Sequence, residues 1–458
     1  MYQFLDNLPL ILMAVSGLVI CCLLMASQEL STALLISTTI TAALNGEAGT
    51  NFRFGGFKVD FTDVVCIGLI LRTLAHPPTP STFRNSKAIY WLLFALTALF
   101  TIGYCRGLSV VSLKQVTNES RRIIFAMSVT WYIASLPPNK EVAIRLTKVG
   151  FLFAIALMFI AAARYLHLIP QPQNLSDPTL EVSRLLPSQN ACFMASCLIL
   201  MWGLLAEGRL ERQWKWMLIA LPIFVVILQH RSVWIQMIVM MCVCAIGERR
   251  FRKWTVAWCS IGLAAALAMA VFAPSSGLAQ SLVTSVRTTS GEHSTANWRE
   301  EGWKQLLAPK FIGDTENYVI GKPAGTGFLR YIRGLPIDAE PHNCFVLIIL
   351  RAGYLGLAIF ILMCLLLLWH LWMRGSFGRA LAVSVMGLLG YFVAYSFDEP
   401  QAFIIGLALY YLRCVPATES ESVLASLRRS LFGRPHSPLL PRALSPFPRT
   451  VVVAEASE

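Results

Sequence analysis

Residues 338–369 read DAEPHNCFVLIILRAGYLGLAIFILMCLLLLW. From Cys344 onward the run is apolar and long enough to cross about 30 Å of hydrocarbon as a helix. A His-Asn pair, His342 and Asn343, stands at its mouth, and one charge, Arg351, lies inside it. At 1.5 Å per residue Arg351 is about 13 Å along the helix from His342. Charge inside a membrane span is costly, so Arg351 is expected to face a polar cavity or a partner. Two readings stay open: a deep contact for a carrier phosphate, or a structural ion pair with Asp398 or Glu399.

The rest of the chain repeats this apolar pattern. Of 458 residues, 56% are hydrophobic and 14% charged, and the mean hydropathy is +0.61. These values describe a polytopic membrane protein. The alternation of barrel strands is absent, so the expected fold class is all-α: an integral membrane helix bundle. Apolar periodicity places spans near 8–26, 29–45, 61–76, 88–105, 122–137, 147–165, 188–206, 214–229, 232–247, 254–272, 343–369, 379–396 and 401–414, or about 12–13 transmembrane helices. The first is expected to be a span rather than a cleaved leader, because MYQFLDN lacks a basic flank.

Lys and Arg gather on alternate connections: 139–148, 207–215, 247–254, 373–379 and the tail. By the positive-inside rule these are cytoplasmic, and 166–187, 273–342 and 397–400 face the periplasm. The net charge of +13 therefore reports topology, and no nucleic-acid partner is expected. Four regions follow: N-terminal transmembrane helices over 1–272, one large periplasmic loop or cap over 273–342, C-terminal transmembrane helices over 343–414, and a disordered cytoplasmic tail over 415–458 rich in Ser, Pro and Arg. Within the cap, ANWREEGWKQLLAP has amphipathic helical spacing that a proline ends. The twelve cysteines lie almost wholly in apolar segments without CxxC pairs and read as small buried hydrophobes.

Arg231 begins a span on the outer side, Arg299 lies in the outer loop and His342 closes it, so the three can share one outer cavity. Arginine pairs bidentately with phosphate oxygens, and histidine can take a proton near neutral pH. That combination suits a lipid-linked diphosphate whose leaving group needs its charge stabilised while an acceptor hydroxyl is deprotonated. The bland readings are a helix-entrance histidine and an arginine anchored among headgroups. Arg121 and Arg122 either join the phosphate site or serve as such anchors, with anchoring preferred, and His230 and His293 read as packing or turn residues. No acidic pair suited to a nucleotide-sugar metal, no P-loop, no HExxH and no GxSxG is present, so no metal or cofactor is expected.

Three patches, PHNCFVLIILRAGYLGLAIFILM at 341–363, NWREEGWKQLL at 297–307 with PAGTGFLRY at 323–331, and QHRSVWIQMIV at 229–239, together resemble the O-antigen ligase and O-antigen polymerase superfamily. The resemblance covers about the second half of the chain. It implies a GT-C-like helical fold in which Arg231 and Arg299, with Arg287 as the competitor of Arg299, bind the undecaprenyl diphosphate of the donor, and His342, beside Asn343, activates the acceptor hydroxyl. It implies a metal-independent inverting glycosyltransferase in the bacterial inner membrane, with its active site facing the periplasm. Expected partners are an undecaprenyl-diphosphate-linked saccharide donor, a saccharide or lipid A-core acceptor, membrane lipids, and chain-length regulator or export proteins. A polymerase is favoured over a ligase, and a lipid-linked oligosaccharide flippase is the alternative.

Overall fold

The computed structural model of the chain describes residues 32, 52–54, 57–59, 61–78, 86–169, 176–177, 182–183, 185–247, 251–258, 260 and 295–415. The expected span at 8–26, most of those at 29–45 and 254–272, loop residues 273–294 with Arg287 and His293, and the tail beyond 415 lie outside the described residues.

The described helices are α1 (Phe61–Ala75), α2 (Lys87–Leu108), α3 (Leu113–Ser135), α4 (Lys140–Tyr165), α5 (Ser188–Ala206), α6 (Met217–Ile227), α7 (Arg231–Gly247), α8 (Thr295–Leu306), α9 (Pro309–Ile312), α10 (Thr315–Ile320), α11 (Cys344–Trp372), α12 (Gly375–Phe392) and α13 (Glu399–Cys414). Short antiparallel hairpins pair β1 (Phe52–Phe54) with β2 (Phe57–Val59), β3 (Ser176–Asp177) with β4 (Val182–Ser183), and β5 (Leu329–Ile332) with β6 (Leu335–Asp338). Five helices, α2, α4, α5, α11 and α12, are long and apolar enough to cross a membrane. The chain is a helical membrane protein. Large apolar side chains such as Phe94, Phe159, Ile235, Leu365 and Trp369 face outward, as a bundle solvated by lipid requires.

Helix α5 is buried on nearly every side and forms the centre of the bundle, with α12, α7 and α6 packed around it. Small residues in SQNACFMASCLILMWGLLA make that approach possible. The connections alternate between two ends. At one end, Tyr410 Oη donates to Pro137 O at 2.6 Å, Arg413 bonds the carbonyls of Ala134 and Leu136 that close α3, and Lys148 pairs with Glu211. At the other end, Ser188 Oγ is 3.0 Å from Tyr391 Oη and Ser396 Oγ donates to Pro341 O at 3.3 Å.

Helix α3 begins at Leu113, well before the expected 122, because Ser112 and Gln115 form a capping box. The polar run TNESRR therefore lies inside the helix, not in a connection. Helix α4 likewise starts at Lys140, where Asn139 accepts from Glu141 N–H, rather than at 147.

The span beginning at Cys344 is not one continuous helix. Gly353 has φ 69° and ψ −177°, a backbone region essentially reserved for glycine. The break frees carbonyls that lipid cannot satisfy, and the chain answers from its own loop: Lys322 N–H donates to Leu350 O at 2.7 Å. Helix α10 lies against the break so closely that a Cβ on Gly353 would sit 2.0 Å from Val319 O. Gly353→Ala is therefore expected to cost at least about 3 kcal/mol through strain and clash combined. A melting curve of the detergent-solubilised variant that matches wild type would refute this account.

The same loop, GKPAGTGF over 321–328, is threaded between α2, α3 and α11. Ala324 N–H donates to Gly103 O at 3.0 Å, and a Cβ on Gly107 would lie 2.3 Å from Ala324 O. Arg106 fixes the loop's start, donating to Gly321 O at 2.6 Å and Asn317 Oδ1 at 3.0 Å while pairing with Glu316 at 3.1 Å. Residues 295–338 thus form an ordered cap, with the amphipathic helix α8 ending ahead of Pro309 as its spacing predicts.

Candidate functional site

Two polar regions lie at the end of the bundle where α11 begins. The first surrounds Tyr395. Its carbonyl accepts from Cys344 N–H at 3.0 Å, its ring stacks on Tyr391 at 4.7 Å, and the Arg299 guanidinium lies 5.0 Å from its ring centre. Arg231 opens α7 at the same end, because the neighbouring His230 Nε2 is 2.8 Å from Leu186 O and Ser188 contacts Tyr391. His342 is exposed, two residues from the Cys344–Tyr395 contact. The structure therefore gathers Arg231, Arg299 and His342 at one end. His230 is buried, in keeping with a packing role.

Asn343 has a structural task. Its Oδ1 caps α11 by accepting from Val346 N–H at 3.0 Å, and its Nδ2 donates to Val393 O at 3.0 Å. Both ends of the amide are engaged, which sets the angle at which α11 leaves the cap.

The second region is on the α2–α3 side of α11. Arg351 is 4% exposed and pairs through Nε with Glu119 Oε1 at 2.5 Å. It also donates to Gly327 O at 3.1 Å and stacks 4.4 Å from the Phe328 ring centre. Glu119 Oε2 in turn accepts from Gly327 N–H at 2.9 Å. The partner of Arg351 is thus Glu119, not Asp398 or Glu399. Asp398 stands just before α13, which packs on α3, and it is taken by Arg122 Nε at 2.9 Å. Arg351 does not join the Tyr395 group.

Two cavities meet at this ion pair. One, of about 680 Å³, lies between α1, α2 and α3 and is lined largely by apolar side chains, among them Ile70, Leu74, Tyr90, Phe94, Phe100 and Ile123, with Glu119 and Arg351 at its polar margin. The other, of about 870 Å³, is lined by Asp63, Glu119, Asp338, Glu340, Glu399, Arg121 and Arg122, together with Gln115, Asn118 and the backbone of Gly325 and Gly327. Ile70, Glu119, Ile124 and Phe328 belong to both walls. The two therefore adjoin, and the second holds most of the charged side chains. Arg231, Arg299 and His342 line neither.

Arg121 and Arg122 are not headgroup anchors. Arg121 pairs with Asp63 at 3.0 Å, and Arg122 is a fork between Glu340 at 2.7 Å and Asp398 at 2.9 Å. Glu340 Oε1 is buried and has no hydrogen-bond partner. Burial, opposed by Arg122, pushes the Glu340 carboxyl up to about 7. A folded-state value above the ordinary 4.5 means that the native state holds an extra proton in that window. The Glu340 contribution to stability is full below pH 4.5 and is lost as pH rises through about 7, by about 3 kcal/mol at most. Melting temperature against pH should show a shallower fall in Glu340→Gln; an unchanged slope would exclude Glu340 as its source.

Sequence reasoning overlooked Glu119, Glu340 and the Arg122 fork. The signal was there: Gln115, Asn118, Glu119 and Arg122 stand at i, i+3, i+4 and i+7, one face of the polar first half of α3 once the capping box fixes its start. Comparison with models of known protein families finds no match, and comparison with curated proteins finds none either.

Proposed function

We propose that this protein transfers a glycan from an undecaprenyl-diphosphate carrier to a saccharide acceptor at the periplasmic face of a bacterial inner membrane, in exopolysaccharide or O-antigen assembly. The observation that carries the reading is the gathering of Arg231, Arg299 and His342 at one end of the bundle, with the Arg299 guanidinium over the Tyr395 ring, two cations and an imidazole suited to a diphosphate leaving group and an attacking hydroxyl. The arrangement of charge supports the orientation: Lys140, Lys148, Arg209, Arg212 and Lys215 stand at the end opposite His342, where the positive-inside rule puts the cytoplasm. On this reading the bundle is GT-C-like, with about 12–13 spans in the whole chain.

In the reaction, Arg231 and Arg299 hold the carrier diphosphate, and their charge stabilises the electron pair that leaves with it as the glycosidic bond breaks. His342 takes the proton of the attacking hydroxyl. Its exposure suits this task, because a long saccharide acceptor must reach it from water. A polymerase, whose acceptor is another lipid-linked repeat unit, is preferred to a ligase that uses lipid A-core. Chain-length regulator or export proteins would be its partners.

The interruption of α11 at Gly353 beside a buried Arg351–Glu119 pair favours one other reading, a lipid-linked oligosaccharide flippase, since transporters use broken helices at their substrate sites. One experiment separates them. Purified protein in liposomes is incubated with a lipid-linked repeat unit, with and without lipid A-core, in the presence of chelator. A product ladder is expected; a single capped product would mean a ligase, and translocation without chemical change would overturn glycosyl transfer.

A further inference from the structure

We infer that Arg122 is a positioning residue, whose forked guanidinium fixes the segment bearing His342 against the segment bearing Tyr395, on which Arg299 rests. The inference rests on the glycosyl-transfer reading and adds to it the device that keeps the proton acceptor and the diphosphate ligand in register.

Two short segments carry those groups. Residues 340–344 lead from β6 into α11 and include His342, while residues 393–398 join α12 to α13 and include Tyr395, with the Arg299 guanidinium 5.0 Å from its ring centre. The segments lie side by side. Ser396 Oγ donates to Pro341 O at 3.3 Å, Cys344 N–H to Tyr395 O at 3.0 Å, and Asn343 Nδ2 to Val393 O at 3.0 Å. In sequence these ties flank His342 on both sides. Each is a neutral hydrogen bond, of modest net strength.

Arg122 closes the two segments at their acidic ends. Its Nη1 donates to Glu340 Oε2 at 2.7 Å, two residues before His342, and its Nε meets Asp398 Oδ1 at 2.9 Å, three residues after Tyr395. A planar guanidinium presents these two donors at a fixed angle, so it sets the spacing of the segments in a way that a single ammonium cannot. The link does not require a charge on Glu340. When that carboxyl is protonated, the hydrogen can sit on Oε1, which has no hydrogen-bond partner, and Oε2 still accepts from Arg122.

The base of the fork is itself pinned. Within the same turn of α3, Glu119 holds Arg351 and Gly327 N–H, and Arg121 holds Asp63 of α1 at 3.0 Å. Stability alone does not account for the arrangement, because the Arg122 side chain is 38% exposed and an ion pair that water can screen adds little to folding. The fork supplies direction instead. A displacement of about 1 Å at a reacting group can lower turnover by about 10²-fold.

Full-length protein in nanodiscs is compared with Arg122→Lys, which keeps the charge and loses the fork. A second comparison is the neutral triple variant Arg122→Met, Glu340→Gln and Asp398→Asn, which leaves no carboxylate unpaired. Initial rates with a lipid-linked repeat unit, thermal melting, and hydrogen exchange at the Cys344 amide are measured on each. That amide is the first of α11 and has no acceptor inside its own helix, so its protection reports the Tyr395 contact. In both variants kcat is expected to fall by about 10–10²-fold, with KM for the donor little changed. Exchange at Cys344 should quicken about tenfold while the α5 amides keep their protection, and the triple variant should melt with wild type. Full kcat in Arg122→Lys, activity that returns with the melting temperature in the triple variant, or unaltered Cys344 exchange would overturn the inference. The two readings fail separately: a product ladder with unaltered kcat in the variants removes only the positioning role, and faster Cys344 exchange in a protein that yields no transfer product removes only the glycosyl-transfer function.

Discussion

Replacing Arg351 with alanine is expected to lower the unfolding free energy by about 3–5 kcal/mol, because it leaves the Glu119 carboxylate buried without its counter-charge. The pair is mostly buried, with side chains 5% and 12% exposed, so the carboxylate left behind is largely desolvated. The substitution also removes the donor to Gly327 O and the cation over Phe328, loosening the loop that closes both cavities. The pair is not itself a large net source of stability, since each charge had to be desolvated to form it. Arg351→Met combined with Glu119→Gln should therefore recover more than half of the loss, the glutamine oxygen still accepting from Gly327 N–H. Thermal and denaturant unfolding in the same detergent would decide it. Single variants within about 0.5 kcal/mol of wild type, or a double variant no better than either single one, would contradict a buried compensated pair.

His342→Ala is expected to reduce glycan transfer by about 10²–10⁴-fold while leaving the melting temperature unchanged, the loss typical of removing a positioned proton acceptor. The imidazole is exposed, while on either side of it Pro341 O accepts from Ser396 and Asn343 caps α11. Asn343→Ala makes the complementary control. It should cost about 0.5–2 kcal/mol of stability as a lost N-cap. Polymer of normal yield and length from His342→Ala would sink the catalytic assignment.

Residues 338–369 carry part of their structure in their sequence alone. PHN was legible as the rim of a membrane helix, since a long apolar run after a polar turn admits little else. The demand that Arg351 find a partner was legible too, because the penalty on a buried charge is local. Which partner it finds was not. Asp398 and Glu399 were plausible from their place at a helix end, yet Asp398 starts a helix packed on α3 and is met there by Arg122. Glu119 was hidden because TNES reads as a connection unless the Ser112–Gln115 capping box is noticed. The interruption at Gly353 was hidden for a related reason: glycine is common in spanning helices, and only the close approach of Val319 requires this one to leave the helix.

The sequence by itself determined the solvent of this protein and the period of its elements, because twenty-residue apolar runs and basic connections act through transfer free energy alone. It also pointed to the grouping of Arg231, Arg299 and His342 at one end of the bundle, since each stands at a helix end or in a connection. The tertiary structure decided what counting cannot: that α11 breaks, that the 321–328 loop satisfies the freed carbonyl, and that charges more than two hundred residues apart, Arg122 with Glu340 and Arg351 with Glu119, close around two adjoining cavities. Those pairings depend on which faces of α2, α3, α11 and α13 meet, and helix packing in lipid is set by shape and buried polar contacts that hydropathy does not encode.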